Sequence, residues 1–204
     1  MISRRLVLCS LAACAFAPPI EAFAAGDDTP ASRVQSFYDV LLQGMKGGAK
    51  LGFKGRRDLL APVIERSFDL PLMTRLTTGL DWQKLSADEQ QKLIAAFSDF
   101  SIATYANQFD DYSGERFDVD PAPVKTDSGD VIVKSKLVQL KDDPVELDYL
   151  MRQGSNGWKI IDIYLSGTIS QLAARRSEFS AVLRRDGATG LINLLHQKTA
   201  QLAG

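Results

Sequence analysis

The stretch from Asp148 to Phe179 constrains the fold more than any other, reading DYLMRQGSNGWKIIDIYLSGTISQLAARRSEF. Two apolar arms meet at the turn Gly154-Ser155-Asn156-Gly157, and the second runs through Ser166-Gly167 into a helical pattern. In the first arm Leu147, Tyr149 and Met151 alternate with Glu146, Asp148 and Arg152, which is the period of a half-buried strand. The second arm, Trp158 to Leu165, is apolar on both faces except at Lys159 and Asp162. A strand of that kind must be covered on both faces, by protein or by a ligand.

The rest of the chain predicts helices before this hairpin and after it. Pro30 suits a first helical turn, and Val34, Phe37, Tyr38, Leu41, Leu42 and Met45 then recur at helical spacing. Gly44, Gly47, Gly48 and Gly52 predict a flexible break before a second helix, about Gly55 to Glu65, in which Pro62 predicts a kink or a weakening. A short helix follows Phe68-Asp69-Leu70. Ser86-Ala87-Asp88-Glu89 is a capping box opening the longest helix, to about Phe109. Four strands are predicted at Glu115–Val124, Asp130–Leu140, Val145–Gln153 and Trp158–Leu165, joined by short turns that favour an antiparallel meander. Helices over Ser170–Arg184 and Thr189–Leu202, parted near Gly187, close the chain. This is an α+β order: a curved four-stranded antiparallel sheet packed with several helices on its concave side, around an apolar cavity, like a cystatin or NTF2-like core with extra helices.

The N-terminus is of another kind. Arg4-Arg5 precede the apolar run Leu6 to Ala17, and Ala22-Phe23-Ala24 is a small-x-small cleavage site. The run is too short for a membrane span and reads as a secretory signal peptide over residues 1–24, leaving one domain over 25–204. Ser3-Arg4-Arg5 hints at twin-arginine export. Leu11-Ala12-Ala13-Cys14 also fits a lipoprotein box that would acylate Cys14, although the apolar run before it is short. Both cysteines, Cys9 and Cys14, lie in the signal, so cleavage after Ala24 leaves no thiol for disulfides, catalysis or metal binding. Losing Arg4, Arg5 and Glu21 leaves 22 basic and 24 acidic residues, a net charge of −2, and no basic excess for nucleic acid.

Catalytic and metal chemistry find little support. His196 is the one histidine and has no second imidazole with which to share a metal. No Gly-rich loop has phosphate-binding or dinucleotide spacing, and no cofactor is implied. Asp162 stands out because its strand neighbours are apolar. Desolvated beside Tyr149 or Tyr164, it would serve as the general base of an NTF2-like enzyme acting on a small apolar substrate. The preferred reading is structural: its carboxylate accepts hydrogen bonds from a loop or a helix N-terminus.

Trp158-Lys159-Ile160-Ile161-Asp162-Ile163, then Gly167, Ser170, Arg176 and Phe179, resemble the toluene-tolerance or MlaC-like family. Phe68-Asp69, Leu80, Trp82, Thr104-Tyr105-Ala106 and Tyr112-Ser113-Gly114 fall in the same order, so the resemblance spans roughly Ala31 to Leu202. The wording of Gly167 to Ala173 and of Arg175 to Phe179 is most similar to the hopanoid-associated HpnM branch. The resemblance implies a periplasmic lipid carrier, for a hopanoid or a phospholipid, serving an inner-membrane transporter of ABC or RND type. It turns the apolar surplus of the helices and sheet into a cavity walled by Leu72, Met73, Leu76, Phe97, Phe100, Tyr149 and Met151. Arg175 and Arg176, with Arg184 and Arg185 nine residues on, give the penultimate helix a basic side, read first as a solvated face and alternatively as a contact for acidic lipid headgroups or a transporter subunit. Leu195 is core away from the ligand.

The mature protein should begin Ala25-Gly26-Asp27 and be soluble and thiol-free. N-terminal sequencing of protein recovered from the periplasm checks this; a diacylated Cys14 at the start would contradict it.

Overall fold

The computed structural model describes residues 28–204. The signal segment, its cleavage site and both cysteines lie outside the described residues. Helix α1 runs Pro30–Ser67, opened by a capping box between Thr29 and Ser32 with Pro30 in the first turn. It bends where the sequence predicted a break, but only at Gly48 (φ 40°, ψ −127°) and Gly52 (φ 61°, ψ 179°). Those positive φ values suit glycine, which has no Cβ to clash. The bend is held from outside: buried Arg56 donates from Nε to the Ala106 carbonyl at 2.7 Å and from a terminal nitrogen to the Gly48 carbonyl at 3.0 Å. Pro62 lies inside the helix without a non-helical residue beside it. Lys159 Nζ donates to the carbonyls of Glu65 and Arg66, satisfying acceptors that the end of α1 leaves unpaired.

Helix α2 (Leu70–Thr78) is capped by Asp69, which accepts from the Leu72 N–H, and runs into a 3₁₀ segment, Gly79–Lys84, that the periodicity did not foretell. Helix α3 (Ala87–Gln108) begins at the predicted capping box of Ser86 and Glu89. Helix α4 (Gln171–Leu202) contains both predicted C-terminal helices, joined through a bend at Gly187 (φ 69°).

The sheet is antiparallel, as predicted, but among the described residues has seven strands: β1 (Arg116–Val119), β2 (Val124–Lys125), β3 (Val131–Val133), β4 (Ser135–Val138), β5 (Val145–Gly154), β6 (Gly157–Leu165) and β7 (Ile169–Ser170). The excess over four comes from interruptions and from β7. Pro121 and Pro123, which have no N–H to donate, lie between β1 and β2. The second predicted strand breaks at Lys134 into β3 and β4, which pair side by side with β5. Strand β7 adds two residues to β6 where a helix start was expected. On β6, Leu150 faces Asp162 while Met151 faces Ile160, so Ile161 is the extra residue of a bulge. A bulge shifts the alternation by one. It explains why β6 looks apolar on both faces: Ile160 and Ile163 stand opposite Met151 and Tyr149, residues of the same face of β5.

The helices pack on the face of β5 that carries Leu147, Tyr149 and Met151. Phe37 meets Phe68, Tyr105 and Tyr149 edge-on, with centroids 5.2, 5.3 and 6.4 Å away. Tyr38 stacks on Phe117 at 4.1 Å and bonds to the Ser135 hydroxyl at 2.7 Å. Ser135 in turn donates to the Leu147 carbonyl, which leaves the tyrosine as the donor of that pair. Burial pushes the Tyr38 phenol up to about 12, so it stays protonated.

Asp162 ties the sheet to the start of α4. Its carboxylate accepts from the Ser170 hydroxyl at 2.5 Å, from the Leu172 N–H at 3.1 Å and from the Ile163 N–H at 2.7 Å. Leu172 is in the first turn of α4, where N–H groups lack helical partners and the helix dipole favours a negative charge. The structural reading of this acid therefore has its partners. Asp162→Asn should lower stability by about 1–3 kcal/mol, the usual worth of a charged hydrogen bond. Urea denaturation measures it; an unchanged midpoint would remove Asp162 from this role.

Candidate functional site

A cavity of about 180 Å³ lies between the sheet and helices α2, α3 and α4. Its floor is Leu147 and Tyr149 of β5 with Ile163 and Leu165 of β6. Ile64 and Phe68 close one side, and Leu70 and Met73 of α2 face it. Phe97, Ser101, Thr104, Tyr105 and Gln108 of α3, with Phe109 just after it, form another wall, while Gln171, Leu172 and Arg175 of α4 complete the lining. The lining is chiefly apolar with a few polar groups, the usual composition of a small-molecule site.

Of the seven residues expected to wall a cavity, Met73, Phe97 and Tyr149 meet here; the other four do not line it. Leu76 is 40% exposed and belongs to a separate shallow hollow with Leu80 and Trp82. The error has a physical cause. The inward stripe of α2 is Leu70, Met73, Thr74, Thr77 and Thr78, so threonines hold positions a hydropathy reading assigns to solvent. Their hydroxyls donate to carbonyls one turn back, Thr74 to Leu70, Thr77 to Met73 and Thr78 to Thr74, which leaves the methyl groups for packing. Leu72 and Leu76 are thereby left half-buried and exposed respectively.

Met151 is fully buried and lies in the closed core, paired with Val131 and Ile160. Phe100 is half-buried just outside the lining, where Arg175 lies over its ring at 4.9 Å. Arg175 reaches the cavity, whereas Arg176 is exposed and borders the hollow of Leu76 and Leu80. Leu195 is buried on α4 away from the cavity lining, as expected. His196 is exposed on the same helix.

The lining also holds residues outside the expected set. Tyr105 lies in the Thr104-Tyr105-Ala106 stretch of the family resemblance and Phe109 at the end of the predicted longest helix, while Ile163 and Leu165 belong to the second apolar arm, now β6. The bulge puts Ile163 and Leu165 on the same inward face as Tyr149 and Leu147, which the sequence alternation alone did not show. Leu70 and Leu172, each at the first turn of a helix, carried no sign of it either.

The electrostatics of the cavity are those of neutral phenols and one cation. Burial pushes the hydroxyls of Tyr105 and Tyr149 well above the ordinary phenol range. Burial likewise pushes Arg175 down, though a guanidinium remains charged at neutral pH. Asp162 is not part of the lining, and both of its oxygens are engaged with Ser170 and the start of α4. Among the described residues, no group of three or more His, Cys, Asp or Glu side chains could hold a metal ion. No helix among them is long and apolar enough to cross a membrane.

Comparison with known proteins bears on this cavity. Residues 35–197 match a family model described as MlaC protein. No curated protein matches the sequence. Among solved structures, the chain is similar to a phospholipid-binding protein from Ralstonia solanacearum, determined in complex with a phospholipid. The two share 27% identity over 86% of this chain and 99% of the other, with a TM-score of 0.74.

Proposed function

This chain belongs to the MlaC family, and from that premise we propose that it is a periplasmic phospholipid carrier whose cavity takes the lipid's acyl chains. The observation that carries the reading is the cavity itself: an apolar space between a sheet and three helices, in a chain whose structural relative is a phospholipid-binding protein. Each methylene withdrawn from water is worth about 0.8 kcal/mol, so a 16-carbon chain costs roughly 12 kcal/mol to expose. A lipid hardly crosses an aqueous compartment unaided against that cost. A protein that buries the chain offsets it with no reaction and no energy source of its own.

Direction then has to come from partners, and the reading includes an inner-membrane transporter of ABC or RND type. The signal segment over residues 1–24 accounts for delivery to the periplasm. The likeness of Gly167 to Ala173 to the HpnM branch makes a hopanoid the second ligand to test.

The cavity's present volume also says something about loading. About 180 Å³ is below the roughly 300–1,000 Å³ of typical ligand pockets. Two acyl chains need more room, so α2 or α3 must move outward as the lipid enters. Met73 and Phe97 face that space, and the flexible thioether adapts to a chain without fixed shape.

The protein recovered from its native periplasm should yield phospholipid on extraction with organic solvent, identified by mass spectrometry. Met73→Asp should abolish that lipid, because a carboxylate in the cavity must be desolvated or must bring in water. Leu76→Asp, three residues on but facing the outer hollow, should retain it. A wild-type protein that carries no lipid would end the carrier reading. A folded Met73→Asp variant with its lipid intact would mean that the chains bind elsewhere.

A further inference from the structure

The half-buried arginines of this protein nearly all have acceptors. Arg56 donates to two carbonyls, Arg57 pairs with Asp99, and Arg33 pairs with Asp28 through a terminal nitrogen, its Nε having no partner; the exposed Arg152 pairs with Asp130. Arg175 differs. Its nearest acidic neighbour is Glu178, one turn along α4, and that carboxylate is held by Lys198 at 3.0 Å. Among the described residues none accepts a hydrogen bond from the Arg175 guanidinium; its close contact is the face of Phe100 at 4.9 Å.

An aromatic face steadies a cation from above but accepts none of its in-plane N–H groups. The fork of donors is therefore unspent, and it sits in the lining of an otherwise largely apolar cavity. Arg175 is half-buried and its nitrogens stay open to the cavity, so an anion with hydrogen-bonding oxygens beside it takes up these donors. A phosphodiester is such an anion: two oxygens in the geometry of the guanidinium fork, carried by a molecule whose remainder is apolar. The same wall carries the hydroxyls of Ser101 and Tyr105, neutral groups that leave the positive charge undiminished.

Resting on the carrier reading, we infer that Arg175 is the ligand-selecting residue: its guanidinium binds the phosphodiester of a two-chain phospholipid while the chains fill the cavity. The substrate class is then an anionic or zwitterionic glycerophospholipid. A neutral lipid of similar apolar volume, a hopanoid included, is held more weakly. Arg176 has no part in this selection, since it borders the outer hollow.

The test uses the mature protein stripped of lipid and two probes with the same tails, dioleoyl phosphatidylglycerol and dioleoylglycerol. Wild-type protein should bind the phospholipid more tightly by roughly tenfold or more, the size expected of charged hydrogen bonds. Arg175→Met should bring the phospholipid down to the level of the diacylglycerol. Arg175→Lys should keep part of the preference, and Arg176→Met all of it. Glycerol 3-phosphate, a phosphate without chains, should displace neither lipid; displacement at micromolar concentration would make this a site for free phosphate esters and overturn the inference. Equal binding of both lipids by the wild type, or equal loss of both in Arg175→Met, overturns it while leaving the carrier intact. Binding of neither lipid by the wild type overturns both. Should Arg175→Met not fold, the wild-type ratio of the two affinities alone decides.

Discussion

The edge-on packing of Phe37 against Phe68, Tyr105 and Tyr149 is the interaction on which the rest of the structure depends. One ring from α1 touches the loop before α2, the inner wall of α3 and the centre of the sheet. Such ring pairs add about 0.5–1.5 kcal/mol each beyond the area they bury. An exposed ion pair contributes about 0–1 kcal/mol, so three contacts on one ring outweigh the surface salt bridges of the helices. The cluster fixes α1 flat on the sheet. Helices α2 and α4 then bridge the remaining width, and the space beneath them is the cavity. Closed core and open space are thus adjacent parts of one face: Met151 lies in the first, Tyr149 at the boundary and Leu147 in the second.

Much of this was legible in the sequence, because local rules and tertiary structure agree. The Ser86–Glu89 box, the glycine bends and the Gly154–Gly157 turn all appear where their chemistry requires them. What was hidden depends on tertiary context. The threonines of α2 bury themselves by bonding to their own helix, which inverted the apparent face and misplaced Leu72 and Leu76. The Ile161 bulge shifted the phase of β6, so a strand with one inward face resembled a strand with two. The prolines between β1 and β2 and the break at Lys134 divided strands that periodicity alone had drawn as continuous.

The site follows the same division. That Met73, Phe97 and Tyr149 line the cavity was readable, because they sit on apolar elements. The distinction between Arg175 and Arg176 was not, since adjacent residues on a helix point about 100° apart and only the packed structure says which reaches inward. That distinction carries the proposed ligand selection. On that proposal the apolar space takes up a chain, and the charged group at its wall tells one lipid from another. Both are built from the same few turns of α2, α3 and α4.

The central claim is that acyl chains occupy the space between the sheet and these helices. A crystal structure of the protein loaded with a phospholipid brominated midway along its chains tests it most directly, through the anomalous signal of bromine. The account predicts bromine peaks against Met73, Phe97 and Leu172, with α2 or α3 displaced outward from its present position. Peaks confined to the outer hollow of Leu76, Leu80 and Trp82 would contradict it.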